Sequence, residues 1–229
     1  MRTIGVLGGM GPQATIDFER RLHRSAQALL PIHVNEGYPP VVTVYVRHAP
    51  VVVGDNGKPS DPLTLDPRFL EIVRRFGDWA DLLVCPSNTP HFFLDEMREA
   101  SGCEMVSIID VTVAELRRRD VSRVGLTGLG IPKVYAQRLA EERFEVVTPS
   151  AEQVDALDDG ILRLMEGRNT AEHTAAGWAA VNAVRDQGVD ATILGCTEIP
   201  LVLGDGSDAA DLINPAQLLA DAVIRRAAE

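Results

Sequence analysis

The sequence predicts an α/β protein of two pseudo-symmetric lobes, each built on a central, mainly parallel sheet flanked by helices. Three observations carry this. Short apolar, β-branched runs alternate with stretches whose apolar residues recur at helical spacing, the pattern of parallel-sheet proteins. The same alternation starts again in the second half of the 229 residues. Two junctions, LLVCPSNTP at 82–90 and TILGCTEIP at 192–200, share one layout: an apolar strand, one or two small polar residues, a Thr and then a Pro. The expected boundaries are an N-terminal lobe over 1–110 and a C-terminal lobe over 111–229, part of whose tail could return to the first.

The first strand is expected over Thr3 to Leu7, ending in Gly8 and Gly9, after which Phe18, Leu22, Ala26 and Leu29 fall on one helical face. Pro39 and Pro40 precede a second strand, Val41 to Val46. Ala49 to Pro67 holds four prolines and two glycines and reads as a long connection. Loops of that length are often lids or binding loops, and the alternative is a solvent-exposed excursion with no role. Phe69, Val73 and Phe76 mark the next helix, Asp81 to Cys85 the strand behind it, and Val106 to Ile109 with Val113 and Leu116 a further strand and helix. In the second half Val121 to Thr127 is a strand, Tyr135 and Leu139 lie on a helix, and Phe144 to Val147 is a strand closed by the turn residues Thr148, Pro149 and Ser150. Val154, Leu157, Ile161 and Leu164 give one helical face, and Trp178, Val181 and Val184 another. The strand Ala191 to Leu194 and a last helix carrying Leu218, Leu219, Ala222 and Val223 complete the chain.

Composition narrows the function classes. With 45% of residues apolar and 24% charged the chain is globular, and a chain of this size buries roughly 70% of its unfolded surface without needing a metal or disulfides. Lys and Arg number 22 against 33 Asp and Glu, a net charge of −11, and no basic run offers a phosphate-tracking surface, so nucleic acid is not an expected partner. The apolar run before Gly8 is too short for a signal segment or a membrane span, so neither export nor membrane attachment is expected. Cys85, Cys103 and Cys196 cannot all pair within one chain and have no metal-ligand spacing, which points to a reducing cytoplasm and no metal.

Three segments carry candidate chemistry. In LGGMGPQA, Gly9, Gly11 and Ala14 fit the G-x-G-x-x-G/A fingerprint of dinucleotide sites. Against it, Pro12 removes a backbone donor, no acidic residue follows the second strand at the expected distance, and no Walker Lys is present; a tight strand-to-helix turn needs the same glycines. In Cys196-Thr197-Glu198, a thiol between a strand end and a helix meets the positive end of the helix dipole, which lowers its pKa, while Glu198 pushes the other way. The plainer reading is a buried small apolar residue. Ser87-Asn88-Thr89 supplies hydroxyls, an amide and helix N-terminal N–H groups, an oxyanion cradle or simply a helix cap. Two lobes facing each other would bring Ser87 and Cys196 to one cleft. Cys85 and Cys103 read as structural, and His23, His33, His48 and His173 as surface residues; His91 stands four positions after Ser87 with no contact established by that spacing.

IGVLGGMGPQAT (4–15), SNTPHF (87–92) and ILGCTEIPLVL (193–203) resemble the three signatures of the aspartate/glutamate racemases, within the PLP-independent Asp/Glu/hydantoin racemase superfamily. VSRVGLTG (121–128), IIDVTV and NPAQLLADAV also fall where that family has counterparts, so the similarity covers nearly the whole chain. The resemblance implies two α/β lobes with the active site in the cleft between them, no cofactor, and commonly a homodimer acting on a small carboxylate or amino acid. Carried over, Cys196 would be the catalytic thiol of the second lobe, Asn88, Thr89 and Thr197 would hold the substrate α-carboxylate, and Met10 would line the floor. Glu198 and Arg47 complete the expected substrate contacts.

The departures set the functional expectation. Where two-thiol racemases of this family carry a Cys before Asn-Thr, this chain has Ser87, and Cys85 is two residues too early, about 7 Å along a strand. A Ser hydroxyl is a far weaker base than a thiol whose reference pKa is about 8.5. Leu129 and Pro132 stand where the family's threonines would align, and Arg47, Lys58 and Arg168 are the candidates for a distal carboxylate. The expected function is racemisation of aspartate or glutamate, with Cys196 exchanging the α-proton on one face and Ser87 serving the other. A one-thiol decarboxylase similar to the arylmalonate decarboxylases, or a carboxylate-binding relic, are the alternatives.

Overall fold

The structure is a computed structural model that describes residues 1–31, 34–53 and 60–229; His33, Lys58 and the middle of the 49–67 connection lie outside the described residues. The chain divides into two compact units, Met1–Ile108 with Leu219–Glu229, and Ile109–Leu218.

The first unit is a four-stranded parallel sheet with strand order β2-β1-β3-β4. Its strands are β1 (Ile4–Gly8), β2 (Val41–Tyr45), β3 (Leu82–Val84) and β4 (Glu104–Val106). Its helices are α1 (Pro12–Leu29), α2 (Pro67–Arg75), α3 (Leu94–Ser101) and, from the far end of the chain, α9 (Pro215–Ala228), whose residues from Leu219 onward belong to this unit. The inner strands β1 and β3 are buried throughout, as expected of parallel strands covered on both faces. Leu7, Phe69, Val73, Phe76, Leu83 and Met97 form one core with Cys85 and Cys103. The return of α9 is fixed by polar contacts: Arg2 N–H donates to Ala227 O at 2.9 Å, Ser25 Oγ to Asp221 Oδ1 at 2.5 Å, and Arg226 pairs with Glu104 at 2.8 Å.

The second unit repeats the plan with strand order β6-β5-β7-β8, again parallel. Its strands are β5 (Arg123–Thr127), β6 (Glu145–Val147), β7 (Ala191–Leu194) and β8 (Leu212–Ile213). α4 (Ile108–Arg118) leads into it, followed by α5 (Lys133–Glu141), α6 (Ala151–Met165), α7 (Ala171–Arg185) and the short α8 (Ile199–Leu203). Leu157 and Ile161 of α6, Val181 of α7 and Val202 of α8 share a core with Leu194. Ser150 starts α6 with a reciprocal cap, its hydroxyl accepting from Gln153 N–H and its own N–H donating to the Gln153 side chain.

One expectation changes, and two features are new. The strand expected at Val106 to Ile109 lies earlier, at β4, and Ile108 and Ile109 open α4, so the apolar run straddles an element boundary. The 49–67 connection is zipped at its described ends: Val51 bridges Leu65 in antiparallel fashion, Val52 N–H donates to Thr64 O at 2.8 Å, and Asp66 N–H donates to Pro50 O at 2.9 Å. Finally, β8, with two residues, gave no periodic signal to read.

Candidate active site

The glycine turn after β1 is explained by close packing. Gly9 has φ +91°, and a Cβ there would lie 2.5 Å from the Val46 carbonyl oxygen. Its N–H donates to Thr15 Oγ at 2.8 Å, and the Thr15 hydroxyl donates to Gly11 O at 2.9 Å, so this amide is held by α1 itself. Pro12 takes the first helical position after Gly11. Met10 is partly buried and packs against the core of the first unit. Arg47 is exposed, its guanidinium 5.1 Å from the centre of the Tyr45 ring, and the Tyr45 hydroxyl donates to Glu19 Oε2 at 3.3 Å. Burial, then Glu19, raise the Tyr45 pKa.

At the end of β3 the chain passes through Cys85 and Pro86 to Ser87, Asn88 and Thr89. Cys85 is fully buried, and burial pushes its thiol up to about 12, so it stays a neutral core residue. Cys103 is also buried, its Sγ donating to Ala80 O at 3.2 Å. Ser87 and Asn88 are partly buried, Thr89 is exposed, and a 3-10 turn over Thr89–Phe93 stands between them and α3. The backbone here is fixed by His91, a buried residue. Its Nδ1 lies 2.9 Å from Ser87 O, and its Nε2 accepts from Ile108 N–H at 3.3 Å. One neutral tautomer, protonated on Nδ1, satisfies both partners. The i to i+4 spacing of Ser87 and His91 was the only hint of this in the sequence.

The second junction follows β7. A Cβ on Gly195 would lie 2.6 Å from Thr127 O, the atom that accepts the Gly195 N–H at 2.7 Å, so the close approach of two strand ends requires glycine. Cys196 is partly buried, and its Sγ donates to Glu198 Oε2 at 3.0 Å; the Thr197 hydroxyl donates to the same oxygen at 3.2 Å. Thr197 and Glu198 are both buried. The expected lowering of the thiol pKa by a helix dipole is outweighed: burial, then the Glu198 charge, raise it well above the ordinary value. α8 has only five residues and Glu198 is its N-cap, so a carboxylate occupies the end that was to favour the thiolate. The backbone of Glu198, then that of Leu129, pulls the thiol pKa the other way, by less. Arg168, a candidate for a distal carboxylate, is exposed and pairs with Glu166.

Among the described residues no group of three His, Cys, Asp or Glu is placed to hold a metal ion, and no helix is long and apolar enough to cross a membrane.

Comparison with known proteins gives this arrangement a family. The "Broad specificity amino-acid racemase RacX" of Bacillus subtilis (strain 168) is 23% identical over 223 residues, 96% of each chain. The fold is that of an aspartate racemase homologue from Pyrococcus horikoshii OT3 (TM-score 0.76, 24% identity, all of both chains) and of Picrophilus torridus aspartate racemase (TM-score 0.77, 20% identity, 100% of this chain and 95% of that one). The family described as Asp/Glu/Hydantoin racemase matches residues 7–223, which include the glycine turn and both strand-end junctions, and the chain belongs to that family.

Proposed function

We propose that the protein is a cofactor-independent amino-acid racemase that exchanges the α-proton of its substrate through Cys196, with aspartate or glutamate as the expected substrate. The observation that carries this reading is the hydrogen bond from Cys196 Sγ to the buried Glu198 carboxylate at 3.0 Å. A thiol is a useful base only as its thiolate. In the resting site the proton stays on sulfur, and Glu198 is the group within reach that can take it. With the proton on Glu198, the thiolate removes the α-hydrogen; the return of protons by the same route completes the exchange on that face. The carbanion so formed resembles an enolate and needs donors at its carboxylate oxygens. Asn88, Thr89 and Thr197, with the N–H groups after β3 and β7, are the donors we assign to it, Met10 to the floor and Arg47 to the distal end of the substrate.

Ser87, through a water molecule, is assigned to the opposite face of the same carbon. This makes the enzyme asymmetric, with one enantiomer deprotonated by a thiolate and the other with the help of a hydroxyl. That asymmetry also favours a second reading, a one-thiol decarboxylase in which Cys196 protonates an enediolate after CO₂ leaves, since Cys85 is sealed in the core and offers no second thiol. A homodimer in the cytoplasm is the accompanying expectation.

The experiment is a set of incubations in D₂O without added PLP or metal, following α-proton exchange in both enantiomers of aspartate, glutamate and a panel of other amino acids. Exchange that is lost in Cys196→Ala supports racemisation. Release of CO₂ from a malonate with no amino-acid exchange transfers the assignment to the decarboxylase. Binding of carboxylates with neither reaction leaves a relic.

A further inference from the structure

Two successive carbonyls of the turn after β3 are drawn to one residue, His91. Its ring Nδ1 lies 2.9 Å from Ser87 O, and its backbone N–H donates to Asn88 O at 3.0 Å. The ring is buried, and its Nε2 accepts from Ile108 N–H at 3.3 Å. Ile108 is the first residue of α4, and its N–H is one of the donors that a helix start leaves without an intrahelical acceptor. A ring nitrogen that accepts carries no proton, so the proton of the neutral ring is on Nδ1 and is donated to Ser87 O. The Ile108 N–H thus selects the tautomer that binds the turn.

A trans peptide group is planar, with its C=O and N–H on opposite sides. Holding Ser87 O on the His91 side therefore directs Asn88 N–H to the other side, and holding Asn88 O does the same for Thr89 N–H. These two amides open the 3-10 turn over Thr89–Phe93.

We propose that His91 is a positioning residue for the carboxylate cradle: its ring fixes the Ser87–Asn88 peptide and so aims the Asn88 N–H at a carboxylate oxygen of the substrate. The inference rests on Ser87, Asn88 and Thr89 lining the site assigned to them above. Both ring nitrogens are engaged by backbone, so the ring acts through the peptide and not as an acid or base.

The test separates the two nitrogens. In His91→Asn the side-chain amide nitrogen takes the place of Nδ1, which keeps the donor to Ser87 O and gives up Ile108. In His91→Gln the longer side chain brings an amide oxygen to the place of Nε2, which keeps Ile108 and gives up Ser87 O. Each variant loses one buried hydrogen bond, so thermal unfolding should show similar losses of Tm. Activity should not follow Tm. Exchange of the α-proton in D₂O should fall about tenfold in His91→Gln, equally for both enantiomers because the carboxylate is common to them, and stay within about threefold of wild type in His91→Asn. Succinate, which has no α-amino group, probes the cradle without turnover. Its Kd, read from the Asn88 N–H signal by NMR, should rise about tenfold in His91→Gln and stay near wild type in His91→Asn.

Equal effects in the two variants, whether large or absent, overturn the proposal. If His91→Gln does not fold, His91→Asn decides: a tenfold loss overturns the proposal, and an Asn88 N–H signal that succinate shifts as in wild type supports it. A wild type that binds succinate with the expected pattern but exchanges no amino-acid proton removes the racemase reading and leaves the positioning role standing. Exchange by wild type with equal losses in the two variants does the reverse, and a protein that neither exchanges nor binds succinate removes both.

Discussion

Cys196 Sγ lies 3.0 Å from Glu198 Oε2 and donates to it, so the thiol and the carboxylate meet across a single intervening threonine. Burial, then the charge of Glu198, raise the thiol pKa; in the proposed reaction the same carboxylate accepts the thiol proton.

Replacing Glu198 by Gln should therefore separate two measurements. Glu198 contributes to the raised thiol pKa, so removing its charge lowers that pKa, and alkylation of Cys196 near pH 8 should become faster. Proton exchange should become slower, by ~10²–10⁴ if Glu198 acts as the proton acceptor. A variant in which both rates move together would exclude the acceptor role.

Cys196→Ala should abolish exchange on both enantiomers, because neither direction can be completed without the thiol. D₂O exchange followed by NMR checks this. Residual exchange above about one hundredth of wild type would assign the base elsewhere.

Ser87→Cys places a second thiol at the strand-end position of the first unit and should raise racemisation, mostly for the enantiomer whose α-proton faces residue 87. The comparison is of initial exchange rates for the two enantiomers. An unchanged ratio in a correctly folded variant, with CO₂ released from a malonate by wild type, selects the decarboxylase.

Asp66 caps α2, its carboxylate accepting from Arg68 N–H at 2.8 Å and pairing with the Arg68 guanidinium. The Arg68 side chain, followed by its backbone N–H and charge, holds the Asp66 pKa at about 2 against burial. A carboxyl lowered from 3.8 stabilises the fold above that value, and the contribution is lost as pH falls through about 2. Because the Arg68 side chain is largely exposed, most of the effect belongs to the cap, about 1 kcal/mol. Asp66→Ala should lower Tm at pH 7 and lose less stability than wild type between pH 4 and 2, as thermal unfolding at the three pH values would record.

Gly9→Ala should destabilise the first unit by about 1–3 kcal/mol, since the new methyl meets the Val46 backbone and the residue must keep φ +91°. Urea unfolding measures it, and a loss below about 0.5 kcal/mol would mean that β2 can move aside.

The fold class was legible because the inner parallel strands are apolar along their length and the helices between them show one apolar face. Boundaries were less so: in Glu104 to Asp110 a single apolar run serves a strand and then a helix, and periodicity over seven residues cannot place the break. The residues of the site were legible as types and spacings, Cys196 and Glu198 two positions apart and Ser87 at the matching junction. The state of the thiol was not, because a dipole argument needs the helix length and the burial of its first residue, and both came out against it.

The division of the chain has a consequence for its synthesis. Ile109–Leu218 is one uninterrupted stretch, so all the residues of the second unit are present before Leu219–Glu229 have been added. The first unit, begun earlier, cannot be closed until Leu219–Glu229 arrive to bring Ala227 to Arg2 and Asp221 to Ser25. The unit begun first is thus closed after the residues of the other have all been made, and a chain stalled or clipped before Leu219 would leave the first unit unsealed while the second had all its residues.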